Sequence, residues 1–329
     1  MLRLAIWIFG PAVVLIIVLV AIVYTAFQVS PWPTALMERR AVNRGGMAVA
    51  RDLEPYVPAN ITSRLNIRYD DGDRDALLDV YYPPIVHKDS LLPAIIWVHG
   101  GSWVGGSKDF IANYLKILAS RGFITVGVGY SLAPARTYPT PVKQVNAALG
   151  FVSANAAHLH VDSSHLFLAG DSAGSQIAAQ VANVISSPAY AAEVGVIPAV
   201  RRTQLAGVVL HCGMFETRLA DFGRTGVLWS YFGTQDFEDD PRLSQFSVVR
   251  HITSDFPPTF LSSGNADDLE PQSHLFAQKA IELGVPVDQL FFSPEYRPKV
   301  PHEFQFDLSS KAGKMALDRS VRFMNSQLK

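Results

Sequence analysis

Residues 166–174 read Leu-Phe-Leu-Ala-Gly-Asp-Ser-Ala-Gly, a short apolar run that ends in Gly-x-Ser-x-Gly with Ser172 at its centre. The residues that follow, 175–185, place Ile177, Ala178, Val181, Val184 and Ile185 at helical spacing. A strand must therefore turn into a helix around one serine, and that tight turn constrains the fold more than any other stretch. Gly170 and Gly174 flank Ser172 because a Cβ on either would crowd the helix against the strand.

The remaining pattern is of the same kind. Residues 65–69 and 76–82 read as paired strands around the turn 70–73. Residues 94–98, 123–129, 205–210, 259–263 and 289–293 are further short apolar runs, as expected of strands buried on both faces. Helical spacing occupies 111–120, 142–153 and the closing stretch 313–328. Alternation of this sort predicts a mainly parallel central sheet with helices on both faces. One segment breaks the rhythm. Residues 213–258 separate two strands and are rich in aromatics and acids, including Trp229, Tyr231, Phe232, Asp236 and Asp240. An insertion so long, placed after a strand's C-terminal end, reads as a cap.

The N-terminus differs in kind. Residues 4–27 carry no charge, and as a helix they would extend roughly 36 Å, enough to cross a tilted bilayer. The apolar core is longer than that of a signal peptide, and residues 28–33 offer no small-x-small cleavage site. Residues 1–30 are therefore expected to form an uncleaved single-pass anchor in a lipid bilayer, with Trp7, Tyr24 and Trp32 near its ends. Arg3 on one side and Arg39, Arg40 and Arg44 on the other nearly balance, so the side holding the body stays open. Residues 31–62 read as a juxtamembrane linker with helix over 35–44, and 63–329 as one domain with the cap inserted.

Composition narrows the function. At 329 residues, 49% hydrophobic and 17% charged, the chain can bury a large core. Its net charge of −1, without a Lys/Arg cluster, argues against nucleic acid as a partner. Cys212 is the only cysteine, which excludes an intrachain disulfide and a Cys-based zinc site.

A serine hydroxyl needs a base, the base needs an orienting carboxylate, and a developing oxyanion needs donors. Strand 94–98 runs into His99-Gly-Gly-Ser-Trp103, where the amides of Gly100 and Gly101 can turn toward Ser172 and join that of Ala173. Asp267, Asp268 and Glu270 follow strand 259–263, at the strand ends where open α/β sheets gather their active groups. Asp268 and Glu270 read as solvated acids. Of nine histidines, His302, between the last strand and the closing helix, is the best placed base, with His211 second. His158, His160 and His165 form a cluster without further ligand spacing and read as scaffold rather than metal ligands.

With Ser172, Asp267 and His302 in that chain order, the sequence resembles an α/β-hydrolase. More narrowly it is similar to the hormone-sensitive-lipase-like carboxylesterases, through residues 99–103, 170–174, Tyr130-Ser-Leu-Ala-Pro134 with Tyr138-Pro139, and Gly264-x-x-Asp-x-Leu269. The resemblance runs from about residue 65 onward. It implies Ser172 as nucleophile, His302 as general base, Asp267 as its orienter, Gly100, Gly101 and Ala173 as oxyanion hole, an ester substrate, and no cofactor or metal. Residues 213–258, with the juxtamembrane segment, would be the cap. There are departures: Ser102 stands where a third glycine is frequent, Lys143-Gln144 where an acidic pair is, and Asp268 where a proline is. The Gly-Gly-Ser-Trp variant also resembles feruloyl-esterase-like and kynurenine-formamidase-like relatives, so an arylformamidase or other amide hydrolase stands beside the ester reading. A non-catalytic binding module on the same fold is the alternative from another class.

Overall fold

The continuous apolar runs become the middle of one eight-stranded sheet in the computed structural model, which describes residues 2–84, 86, 90–217 and 225–328, with side chains from Val13 onward. Its strands are β1 (Thr62–Arg68), β2 (Leu77–Tyr82), β3 (Leu92–Val98), β4 (Ile124–Val128), β5 (Val161–Asp171), β6 (Leu205–His211), β7 (Thr259–Ser263) and β8 (Val287–Phe291). They lie in the order β1-β2-β4-β3-β5-β6-β7-β8. β2 pairs antiparallel with β1 and β4, and every later neighbour is parallel.

Period-two alternation sends successive side chains to opposite faces. Ile96, Val98, Leu168, Leu210 and Leu261 pack in the cluster that contains Val145 of α4 (Thr140–Ala154) and Ile177 and Val181 of α5 (Ala173–Ser186). Ile95, Trp97, Phe167, Val209 and Phe260 belong to the other, with Leu115 of α3 (Ala112–Ala119) and Phe323 of α10 (Lys311–Ser326). Helices thus cover both faces, and the parallel strands deliver their C-terminal ends, with residues 99, 172, 212 and 264 just beyond, to one edge of the sheet.

Two helices precede the sheet: α1 (Leu2–Val29) and α2 (Trp32–Leu53). Among the described residues no single helix is long and apolar enough to cross a membrane; α1 from Val13 and α2 pass that test only as a pair, bent by 89°. α2 extends well past the expected 35–44. Ala35, Glu38, Arg39, Val42, Gly46, Val49 and Leu53 recur at helical spacing on the face turned to the body. Gly45 and Gly46 each disfavour a helix by about 1 kcal/mol, but Gly46 lies so close to Phe110 that a Cβ would come within 2.5 Å of the ring. Tertiary packing therefore carries the helix through the glycine pair.

Between β6 and β7 the chain forms α7 (Thr225–Phe232) and α8 (Arg242–Phe246); residues 218–224 of the expected cap lie outside the described residues. The segment docks on α5 through Gln176 and Asn183, whose amides donate to the carbonyls of Phe246 and Val248. α7 also meets α2: Ser230 donates to the Pro31 carbonyl, and Gly226 admits the Thr34 side chain. α2 and the insertion form one continuous cover. Two further helices, α6 (Pro188–Val194) and α9 (Glu270–Glu282), complete the flanks.

Candidate active site

β5 runs straight into α5, and the turn leaves Ser172 at φ 50° and ψ −120°. A Cβ on Gly174 would fall 2.1 Å from the Val98 carbonyl oxygen, and one on Gly170 2.6 Å from the Gly174 carbonyl carbon. The two glycines let β5 and α5 approach closely enough to push the serine outward.

His302 reaches Ser172 from the loop after β8, with Nε2 3.0 Å from Oγ. Its Nδ1 lies 3.0 Å from Oδ1 of Asp267, on the loop after β7. A carboxylate only accepts, so Nδ1 carries the proton and Nε2 is left to accept from the serine. Asp267 is nearly fully buried and accepts two more bonds, from the Leu269 amide at 2.9 Å and the Ser263 hydroxyl at 3.2 Å. Burial pushes its carboxyl upward, but the bond and charge of His302, the Leu269 amide and the Cys212 thiol outweigh this and hold it below the usual carboxylate range. Asp268 is exposed, as expected of a solvated acid.

The His99-Gly-Gly loop is bent by three consecutive residues with positive φ: Gly101 (126°), Ser102 (53°) and Trp103 (59°). For the two non-glycine residues this costs about 1–3 kcal/mol each. Gly100 departs from the expected oxyanion set. Its amide donates to Oδ2 of Asp171 at 2.7 Å and is already engaged. Gly101, Ser102 and Trp103 have amides with no hydrogen-bond partner among the described residues, and the first two directly follow Gly100. Ala173, the first residue of α5, likewise has an amide that no preceding turn can satisfy. Gly101 and Ser102 on the loop and Ala173 at the start of α5 therefore offer the amides open to a donor role at the elbow.

Asp171 explains the substitution. It is buried beneath the loop and accepts from the Trp97 indole at 2.6 Å as well as from Gly100. Burial, followed by the charge of Glu303, pushes its carboxyl well above the usual range, and the two acids are hydrogen-bonded. Glu303 adopts φ 55° and brings Oε1 within 3.9 Å of His302 Nε2. Sequence reading passed over both acids, although each directly adjoins a triad residue. Gln144, at the position of the missing acidic pair, accepts from the Ser131 amide and donates to Asp73, so an amide ties that loop where an acid would.

Among the described residues, no other histidine reaches Ser172. His211 is fully buried against Trp97 and Phe260, with Nδ1 2.6 Å from Ser262 Oγ. His158 contacts Arg64, and His165 contacts Asp162, so that cluster diverges. Among the described residues the only His/Cys/Asp/Glu group close enough to hold a metal is Cys212, Asp267 and His302, of which two already bond each other. Burial raises the Cys212 thiol well above its ordinary value, which keeps it protonated.

Burial also lowers His211 to about 3. The ring is neutral in the folded protein, whereas in an unfolded chain it protonates near pH 6.5. Its stability contribution is therefore complete above about 6.5 and is lost as pH falls toward 3. The unfolding free energy of the wild type minus that of His211→Asn should shrink by up to about 1.4 kcal/mol per pH unit in that window. Urea titrations at pH 7, 6 and 5 check this; a constant difference would contradict it.

A family model described as alpha/beta hydrolase fold matches residues 95–305. The carboxylesterase NlhH of Mycobacterium tuberculosis is 31% identical over 228 residues, covering 66% of this chain and 69% of that protein. The esterase LipQ of the same organism is 26% identical over 226 residues, covering 67% and 53%. Among solved structures, esterase B from Lactobacillus rhamnosis with a bound tributyrin phosphonate superposes with a TM-score of 0.75 at 22% identity, covering 90% of this chain and 96% of that one. At that identity the structural likeness speaks for the fold, and the sequence matches speak for descent. The elbow between β5 and α5, the glycine loop after β3 and the acid and histidine beyond β7 and β8 all lie in the shared region, and the chain belongs to the α/β-hydrolase family, among its hormone-sensitive-lipase-like carboxylesterases.

Proposed function

We propose that the protein is a membrane-anchored serine carboxylesterase. The observation that carries the reading is the unbroken chain of two 3.0 Å contacts from Ser172 through His302 to Asp267. Ser172 Oγ attacks the ester carbonyl carbon while His302 Nε2 takes its proton. The carbonyl oxygen gains negative charge and is met by the amides of Gly101, Ser102 and Ala173. Collapse of the tetrahedral intermediate breaks the ester C–O bond, and His302 returns the proton to the leaving alcohol. A water then adds to the acyl-serine, again giving its proton to His302, and the acid leaves as Ser172 recovers its hydrogen. Asp267 stays ionised and holds the imidazole in the tautomer that both halves require.

The anchor rests on α1. The large apolar side chains from Val13 to Val23 are about half exposed or more, and charge is absent along residues 4–27. A helix apolar all round is suited to lipid rather than to a groove in this body. Trp32, Leu36 and Met37 continue the exposed apolar surface onto α2, just past the bend.

The test uses the full chain and residues 31–329 side by side. Both should hydrolyse short p-nitrophenyl esters and become labelled by a fluorophosphonate, and an N-formyl aryl amide should be a poorer substrate. Only the full chain should float with phosphatidylcholine vesicles. Absence of labelling and turnover would sink the serine-esterase reading, faster formamide cleavage would replace it with an amide hydrolase, and equal flotation would remove the anchor.

A further inference from the structure

Helix α2 grips the loop that holds the oxyanion donors. Arg39 donates to the carbonyls of Val104 and Ala133 at 2.5 and 2.9 Å, and Asn43 accepts from the Gly106 amide at 3.0 Å. A Cβ on Gly105 would fall 3.1 Å from the Arg39 Cα, so helix and loop meet backbone to backbone. At the head of the loop, the Ser102 hydroxyl donates to Glu38 Oε1 at 2.8 Å.

Ser102 is otherwise poorly secured. It is buried, held at φ 53°, and its amide has no hydrogen-bond partner among the described residues. The loop's internal bonds bypass it: the amides of Val104 and Gly105 donate to the Gly101 carbonyl, and the Ala133 amide donates to the Trp103 carbonyl. Among the described residues, Glu38 is the only hydrogen-bond partner of Ser102. A serine in the left-handed region returns readily to ordinary φ when nothing retains it, and that rotation would swing its amide off the oxyanion.

We propose that Glu38 is a positioning residue for the oxyanion hole, fixing the Ser102 amide through the Ser102 hydroxyl. The inference rests on the esterase reading. It makes the first helix after the anchor part of the catalytic geometry, and it gives Ser102 a function that a glycine at the same place would not need.

The experiment is a double-mutant cycle in the full chain with p-nitrophenyl butyrate. Glu38→Ala should lower kcat about 10- to 100-fold, a part of the loss expected for one missing donor, with KM within about 2-fold. Glu38→Gln retains an accepting oxygen and should keep kcat within about 3-fold of wild type. Glycine adopts the left-handed conformation freely, so Glu38→Ala should cost little more in a Ser102→Gly background. Fluorophosphonate labelling rates should follow kcat, because the phosphonyl oxygen occupies the same hole. A kcat unchanged in Glu38→Ala, or an equal loss with and without Ser102→Gly, would overturn the proposal while leaving the esterase reading intact. A Glu38→Ala variant with a lower unfolding midpoint but wild-type kcat per labelled site would make the contact merely structural and also overturn it. A wild type that neither turns over nor labels would overturn both.

Discussion

Ser172→Ala should reduce kcat/KM for a short ester by about 10⁵- to 10⁶-fold and abolish fluorophosphonate labelling. Losses of that size follow removal of a nucleophile that acts as one unit with its base. The folded state should barely notice. Among the described residues Ser172 Oγ has one hydrogen bond, to His302, worth about 1 kcal/mol. Alanine in its place keeps the backbone at the elbow, since the close approach there is secured by Gly170 and Gly174. Residual turnover above about one part in 10³, in protein free of wild-type contamination, would place the nucleophile elsewhere.

Asp267→Asn should cost about 10⁴-fold in kcat, whereas Asp268→Asn should remain within a few-fold of wild type. The asparagine would be nearly isosteric yet wrong in its hydrogens. Oδ1 of Asp267 accepts from the Leu269 amide and from His302 Nδ1 at once, and a carboxamide can keep both only with its oxygen at that corner. Its NH2 must then face the Ser263 hydroxyl, and no negative charge remains to stabilise the imidazolium. Steady-state rates of the two variants, measured across pH 6 to 9, decide the assignment. A large loss in Asp268→Asn with none in Asp267→Asn would reverse it.

Much of this arrangement is legible in the sequence because the parallel strands are buried on both faces. Such strands announce themselves as unbroken apolar runs, and the groups that follow them must gather at one edge. The order of Ser172, Asp267 and His302 along the chain then limited which residues could meet. What escaped sequence reading depends on contacts between distant segments. Gly100 looked like a donor because its neighbours did. Its amide is taken by Asp171, 71 positions later, and nothing local to residues 99–103 signals it. His211 was tempting as a residue at the end of a strand. Alternation along β6 turns its ring to the face shared with Trp97 and Phe260. α2 outran its expected end because Gly45 and Gly46 weigh against a helix locally, whereas the closeness of Phe110 is a property of the assembled protein.

The strand order also distributes rigidity unevenly across the triad. β5, which delivers Ser172, has four strands on one side and three on the other; β8, which leads to His302, closes the sheet with one partner, β7. Local opening starts where backbone bonds are few and solvent is near. Ser172 therefore follows an interior strand, and His302 follows one of the two edge strands. Fraying of that outer margin would separate Ser172 from His302 while the elbow, the core and most of the sheet stayed folded.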